Sequence, residues 1–479
     1  MKPGVIMSRH SLSSVIVLVL ILISCSPAGI TQPTETVLPA STITAVPPTS
    51  TPRPTATPIP PERFTQGFLE IAVPDQSLIQ KGLESGVIRK AIDAGTLTFD
   101  VHANLNKPGQ QIVFGRDPET QEILLATRVD PATGEMIWHV AGLRDLADAV
   151  GMTVGTQLYS PNNELYRRSD VQKINALVVQ EYNHAIIIEA GWCFTEFQEG
   201  IFDFTRADEA VDLAIANGMT AEGDDLIYGG ADFDYTYLPK LETQLRNQGA
   251  TEEQIKQRFE TVVKNHIVQV VTHFKGRLQE YSALNEWRGK NTQRPDRYSI
   301  IWNNDDEFVK MVFETARNVD PDARLFYNDG DINTPRDYGH PFAFSKVQML
   351  EGSGLIDAVG IQMTDIFVAN PPRQNEIIAS MKGWGIPVIV SSATFQTQGL
   401  TGTEEEIQKR QADVVIQMLE ACVKSGVCRD FRFWSGYGDK FAHQGRDARA
   451  TIFDEEMKPK PAYFAIKEYL SARIDQGAP

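Results

Sequence analysis

The sequence predicts an α/β fold: a closed parallel (β/α)8 barrel of the TIM type, preceded by a signal peptide, a disordered linker and a small α+β region. Three observations predict it. From about residue 142 onward, eight short β-branched runs are each followed by a stretch with helical periodicity. Acids, amides and indole rings gather where those runs end. No Gly-rich phosphate loop follows the first run, which disfavours the doubly wound sheet, the other architecture with this alternation.

The elements follow in order. Residues 1–24 read as an export signal: Lys2 and Arg9 give a positive start, and "VIVLVLILI" is too short for a comfortable membrane span. "LISC" directly after it resembles a bacterial lipobox, with Cys25 as the lipidated residue; an ordinary signal peptide with an incidental cysteine is the alternative. A mature chain beginning at Cys25 would hang from a membrane by acyl chains, in the bacterial cell envelope and outside the cytoplasm. Residues 25–62 are dominated by Thr, Pro, Ser and Ala, cannot bury a core, and read as a solvated tether. In 63–141, "DQSLIQKGLESGVIRKAIDAG" is helical in pattern. Apolar runs broken by Asp-Pro turns then suggest a hairpin or small meander, a small α+β elaboration with no carbohydrate-module motif.

The barrel occupies 142–479. Its expected strands are 153–159, 184–188, 219–223, 278–285, 324–328, 356–362, 387–391 and 430–434. Helices are expected near 171–182, 206–217, 252–273, 305–318, 343–351, 373–384, 404–426 and 460–473. The seventh strand is expected to stop in a polar turn at Ser391, Ser392 and Thr394.

In such a barrel the chemistry lies at the C-terminal strand ends. Those ends carry Glu189 and Trp192; Asp224, Asp225 and Tyr228; Asn285 and Glu286; Asn328 and Asp329; Gln362, Thr364 and Asp365; Ser391 and Ser392; and Trp434. Carboxylates can protonate an acetal, amides bind hydroxyls, and ring faces stack on pyranose C–H faces, so the set suits a sugar. Some of the acids, Asp329 and Asp365 above all, could instead cap the helices that follow.

Composition narrows the partners. The 479 residues carry a net charge of −17, which argues against nucleic acid and fits a neutral ligand. The eight His include no His-Glu-x-x-His, and no Cys/His cluster has metal spacing, so neither a metal nor another cofactor is expected. Ser391 and Ser392 lack the Gly-x-Ser-x-Gly elbow of esterases. Cys422 and Cys428 read as a disulfide in an exported protein, two free thiols being the alternative, and Cys193 reads as a buried core thiol.

Several stretches resemble glycoside hydrolase family 10, the β-1,4-xylanases. "GRLQEYSALNEW" resembles its acid/base strand, "ETARNVDPDARLFYND" its fifth-strand approach and "GLIDAVGIQ" its sixth strand. "EACVKSGVCRDFRFW" resembles its seventh helix, paired cysteines and eighth-strand Trp, and "EGIFDFTRADEAVDLAIANGM" its segment between strands two and three. The likeness spans roughly 145–470. It implies Glu286 as acid/base and Asn285, Gln362 and Trp434 as glycan contacts; Tyr228, Trp192 and Glu189 join them by their place at the strand ends.

The resemblance also implies a loss. The family's seventh strand ends Thr-Glu-Leu-Asp, its Glu being the nucleophile of a retaining mechanism; aligned on Pro387-Val-Ile-Val, Ser391 meets the Thr and Ser392 meets that Glu. The family's Glu-Asn-Glu-Met-Lys-Trp reads Ile187-Ile188-Glu189-Ala190-Gly191-Trp192, its Gly-His-Thr-Leu-Val-Trp-His reads Gly223-Asp224-Asp225-Leu226-Ile227-Tyr228-Gly229, and its sixth-strand His is Thr364. Asp224 is then the best-placed alternative base, ahead of Asp365 and Asp439. The sequence leaves two functions open: hydrolysis of a xylan-like polysaccharide by a rearranged site, or glycan binding by a lipoprotein that no longer cuts.

Overall fold

The computed structural model describes residues 97–477 apart from 130, 132, 135, 230–235, 288–296, 331, 335, 336, 338, 339 and 442–448. The export signal, Cys25, the linker and the helix-patterned stretch at 75–95 lie outside the described residues.

Strands β1 (Thr98–Ala103), β2 (Gln111–Arg116), β3 (Ile123–Val129) and β4 (Met136–Val140) form an antiparallel meander in sequence order. The Asp-Pro turn between β2 and β3 closes as its chemistry dictates: Asp117 Oδ1 accepts from the backbone N–H of Glu119 and Thr120, both at 2.8 Å. One face of the meander sends Ile112, Phe114, Ile123 and Ala126 into the main core. Lys107 Nζ donates to the carbonyl of Gly218, and Asn106 Nδ2 to that of Met152, at 2.5 and 2.7 Å. Both acceptors lie just before barrel strands, so the meander covers the N-terminal end of the barrel, away from the strand tips.

The barrel strands are β5 (Thr153–Gln157), β6 (His184–Ile187), β7 (Thr220–Asp224), β8 (Glu280–Asn285), β9 (Arg324–Asp329), β10 (Ala358–Phe367), β11 (Val388–Gln396) and β12 (Cys428–Phe433). They close in parallel, β12 pairing with β5. Around them run α1 (Leu143–Val150), α2 (Arg168–Glu181), α3 (Trp192–Thr195), α4 (Thr205–Ala216), α5 (Leu238–Asn247) and α6 (Glu252–Phe274). The ring continues with α7 (Arg297–Trp302), α8 (Asp305–Val319), α9 (His340–Gly352), α10 (Gln374–Gly383), α11 (Glu404–Ser425) and α12 (Pro461–Asp475). The expected alternation is therefore present. Helices α6 and α11 start at capping boxes, Thr251 with Gln254 and Thr403 with Glu406, and α11 ends on Gly426 in the left-handed region. Cys422 and Cys428 are disulfide-bonded between α11 and β12.

The seventh strand departs from expectation. β10 and β11 continue to Phe367 and Gln396, paired beyond two register shifts through Ile366 with Phe395 and Phe367 with Gln396. The hydroxyls that suggested a turn are satisfied within the fold: Ser391 Oγ donates to Asn328 Oδ1 at 2.6 Å, and Thr394 Oγ1 donates to the Thr364 carbonyl. Local competition for backbone hydrogen bonds, the reason such residues favour turns, is thereby removed.

Charge is buried inside the barrel. Arg432 on β12 has no exposure and is paired with Glu222 on β7, with Glu280 on β8 at 2.5 Å and with Asp430 at 3.1 Å. Arg324 on β9 reaches Glu280 at 3.2 Å and Asp430 at 3.3 Å, and His184 Nε2 lies 3.2 Å from Glu280. Burial holds His184 well below its usual pKa, so it stays neutral. His184, Glu222 and Glu280 form the one group of potential metal ligands among the described residues, but Arg432 already supplies the cation between the two acids. Removing one partner of a buried ion cluster strands the others, at a cost of about 3–5 kcal/mol. Arg432→Met should lower unfolding free energy by about that amount in denaturant titrations. A change below about 1 kcal/mol would mean that the acids do not depend on it.

Candidate active site

Parallel closure brings all eight C-terminal strand ends to one mouth. After β7 the chain keeps running beside β8: Leu226 N donates to Ser282 O at 2.9 Å, Asn285 N to Ile227 O at 2.9 Å, and Gly229 N to Asn285 O at 2.8 Å. That pairing sets Tyr228 beside the end of β8, where its Oη donates to Glu286 Oε2 at 2.8 Å. Glu286 has φ +48°, in the left-handed region that a non-glycine residue enters at a cost of about 1–3 kcal/mol. Its N–H donates to Asn328 O at 2.9 Å, which ties the strained residue to β9. The next residue, Trp287, is buried and stacks on Phe308 with centroids 4.6 Å apart.

Amides link the strand tips. Gln362 Nε2 on β10 donates to Asn285 Oδ1 at 3.0 Å, and Asn285 Nδ2 donates to Asp225 Oδ2 at 2.8 Å. Both ends of the Asn285 amide are thus fixed in direction. A Cβ on Gly360 would sit 2.5 Å from Asn328 Oδ1, so glycine there lets Asn328 cross toward Ser391. Ser392 is buried at the mouth and pairs with Gln362 across β10 and β11. Trp434 follows β12, half-buried, with its N–H bonded to Ala393 O at 3.1 Å. Asp224 and Asp225 are neighbours at the end of β7; burial raises the pKa of both, and the Asp224 charge raises Asp225 further, well above its usual value.

Several expectations need correction. Trp192 has no exposure: it stacks on His266 at 4.0 Å and 3°, edge-on to Tyr237, and has no face to offer a sugar. Glu189 is 1% exposed, accepting from Ser160 N at 3.1 Å and Asn163 Nδ2 at 2.6 Å, so it supports the loop after β5 from inside. Asp439 is tied to Lys460 at 2.9 Å and to Thr451, which leaves it no room to act as a base. Cys193 is half-buried rather than a fully buried core residue. Asp329 accepts from Tyr327 Oη at 2.8 Å, on its own strand. Asp365 lies within β10, and its side chain is outside the described residues. Asp225 appears in the sequence only as one of several strand-end acids, yet it holds Asn285; adjacent acids at a strand tip were the signal.

Known proteins point the same way. Residues 142–469 match the model of glycosyl hydrolase family 10. Endo-1,4-beta-xylanase B of Thermotoga neapolitana is 26% identical over 348 residues, covering 70% of this chain and 93% of that protein. Beta-1,4-xylanase of Dictyoglomus thermophilum is 27% identical over 289 residues, covering 56% of this chain and 76% of that protein. The structure of native xylanase 10B from Thermotoga maritima superposes with a TM-score of 0.59 at 25% identity, covering 70% of this chain and 99% of that one.

Burial lifts the Glu189 carboxyl to about 7. Its native form therefore keeps a proton that the unfolded chain gives up near pH 4.5, and stability falls as pH rises between the two values. Glu189→Gln, which keeps the shape of the protonated acid, should be nearly neutral at pH 5 and stabilise at pH 8 by up to about 3 kcal/mol. Thermal unfolding at both pH values checks this; an equal effect at the two would contradict it.

Proposed function

The chain belongs to glycosyl hydrolase family 10, and from that premise we propose that it cleaves β-1,4-linked xylan-type polysaccharide from a surface tether. The observation that carries the reading is Glu286 at the end of β8, its carboxyl held by Tyr228 and its neighbour Asn285 oriented by Gln362. In this reading Glu286 is the general acid that gives its proton to the glycosidic oxygen as the C1–O bond breaks. Asn285, Gln362 and Trp434 bind the sugar.

Ser392 stands where the family's nucleophile belongs. An alcohol there needs an activating base, and no His or Lys is near it in sequence. A double displacement through Ser392 is therefore disfavoured. Asp224 instead takes a proton from water, whose oxygen bonds to C1 on the face opposite the leaving group, with inversion. The substitution at Ser392 also favours one second reading, a surface lipoprotein that binds glycan without cutting it.

Glu286→Gln and Asp224→Asn should each lower xylan hydrolysis by about 10²-fold or more. Oligosaccharide binding with no hydrolysis in the unmodified protein would select the second reading. Ser392→Glu alone should restore little, because Ile187, Ile188 and Gly191 stand where the family's chain-gripping residues would be. With an activated aryl β-xyloside, azide should release the aryl group and give an α-azide, the anion occupying the space that a Glu would fill. The tether is checked by Cys25→Ala, which should move the protein from the membrane to the soluble fraction; unchanged fractionation would remove the anchor from the account.

A further inference from the structure

We propose that Phe367 is a stacking platform for a sugar ring remote from the cleaved bond, so that the site selects a chain of several β-1,4-linked pyranoses over a disaccharide. The proposal deepens the glycan reading of the mouth and rests on it. Phe367 lies past Gln362, the last residue of the "GLIDAVGIQ" stretch that resembles the family.

Its place follows from the two longest strands of the barrel. β10 has 10 residues and β11 has 9, whereas the other barrel strands have 4–6. β9 pairs with β10 as far as Ile361, and β12 pairs with β11 as far as Ala393. Beyond those points β10 and β11 stay paired to one another, through Phe367 with Gln396. The pair thus overshoots its neighbours and stands as a wall at the mouth.

Register decides which side of the wall the ring is on. Gln362 and Ser392 are partners, and Gln362 reaches across the mouth to Asn285. Above them Met363 and Ile366 on β10, and Ala393 and Phe395 on β11, are buried in the main core. Side chains alternate along a strand, so Thr394, Gln396 and Phe367 turn to the mouth side. The register shift between Met363 and Ile366 sets three steps of β10 against two of β11, which keeps Ile366 beside Phe395 and Phe367 beside Gln396.

On that side Phe367 is 47% exposed, while Gln396 is 3% exposed. The polar neighbours are engaged with the wall itself: Thr394 Oγ1 donates to the Thr364 carbonyl, and Gln396 Nε2 donates to Thr394 Oγ1 at 3.4 Å. What the wall presents to solvent is therefore a flat apolar ring above a base of hydroxyl and amide, which suits the C–H face of a pyranose. Along β11, Gln396 stands about 13 Å beyond Ser392 at the usual strand rise. A sugar held by Asn285 and Gln362 is too far away to touch the ring; one further along the same chain can. Trp192 cannot take this part, because its ring is buried against His266.

The test uses the full chain carrying Glu286→Gln, which keeps ligands intact, and titrates xylobiose, xylotetraose and xylohexaose by calorimetry. Affinity should rise with length. Adding Phe367→Ala should weaken xylohexaose about tenfold and xylobiose less than about twofold. Phe367→Leu, apolar but not flat, should lose as much as Phe367→Ala, and Phe367→Trp should stay within about threefold. Equal losses at every length, no loss for xylohexaose, a Leu variant that binds as Phe does, or no xylohexaose binding before Phe367 is changed would each overturn the platform. Length-dependent binding through Phe367 in a protein that hydrolyses nothing with Glu286 restored would sink the hydrolase reading and leave the platform standing.

Discussion

A guanidinium with no access to water is the constraint on which the rest of this barrel depends. Arg432 must be neutralised from within, and its partners come from β7, β8 and its own strand, with Arg324 adding β9 through shared acids. Each of those strands ends in part of the site: β7 in Asp224, β8 in Asn285 before Glu286, β9 in Asn328 and Asp329, and β12 before Trp434. Fixing the strands relative to one another below fixes the distances between their tips above. The N-terminal meander covers the opposite end through Lys107, Asn106 and its apolar face, so it braces the scaffold and stays clear of the mouth.

The site itself is a set of directions imposed by hydrogen bonds. Tyr228 aims one oxygen of Glu286, Gln362 and Asp225 clamp the two ends of the Asn285 amide, and Ser391 holds Asn328. Such preorganisation suits a group that must meet a glycosidic oxygen in one orientation. Where a second carboxylate would be sought, the strand ends offer a serine on β11 and two adjacent acids at the end of β7. The chemistry of the chain turns on which of them faces C1.

Much of this was legible in the sequence. The eight strands and their helices follow from apolar period and length, and Glu286, Asn285 and Gln362 stand out by lying at strand ends. What was not legible depended on distant partners. The Ser391 and Thr394 hydroxyls look like turn chemistry until Asn328 and the Thr364 carbonyl, 63 and 30 residues away, accept them. Trp192 and Glu189 sit at a strand end like true site residues, but position along a strand does not tell whether a side chain faces the mouth or packs behind it against His266 or Asn163. The pairing of Arg432 with Glu222 spans 210 residues, and no local pattern marks it.

The central proposal is that hydrolysis proceeds without a glycosyl-enzyme intermediate, through Asp224 rather than a group on β11. The most direct measurement is the configuration of the first reducing sugar released from a β-1,4-xylo-oligosaccharide, followed by proton NMR before mutarotation. The account predicts the α-anomer. A β-anomer as first product, or no product at all, would contradict it.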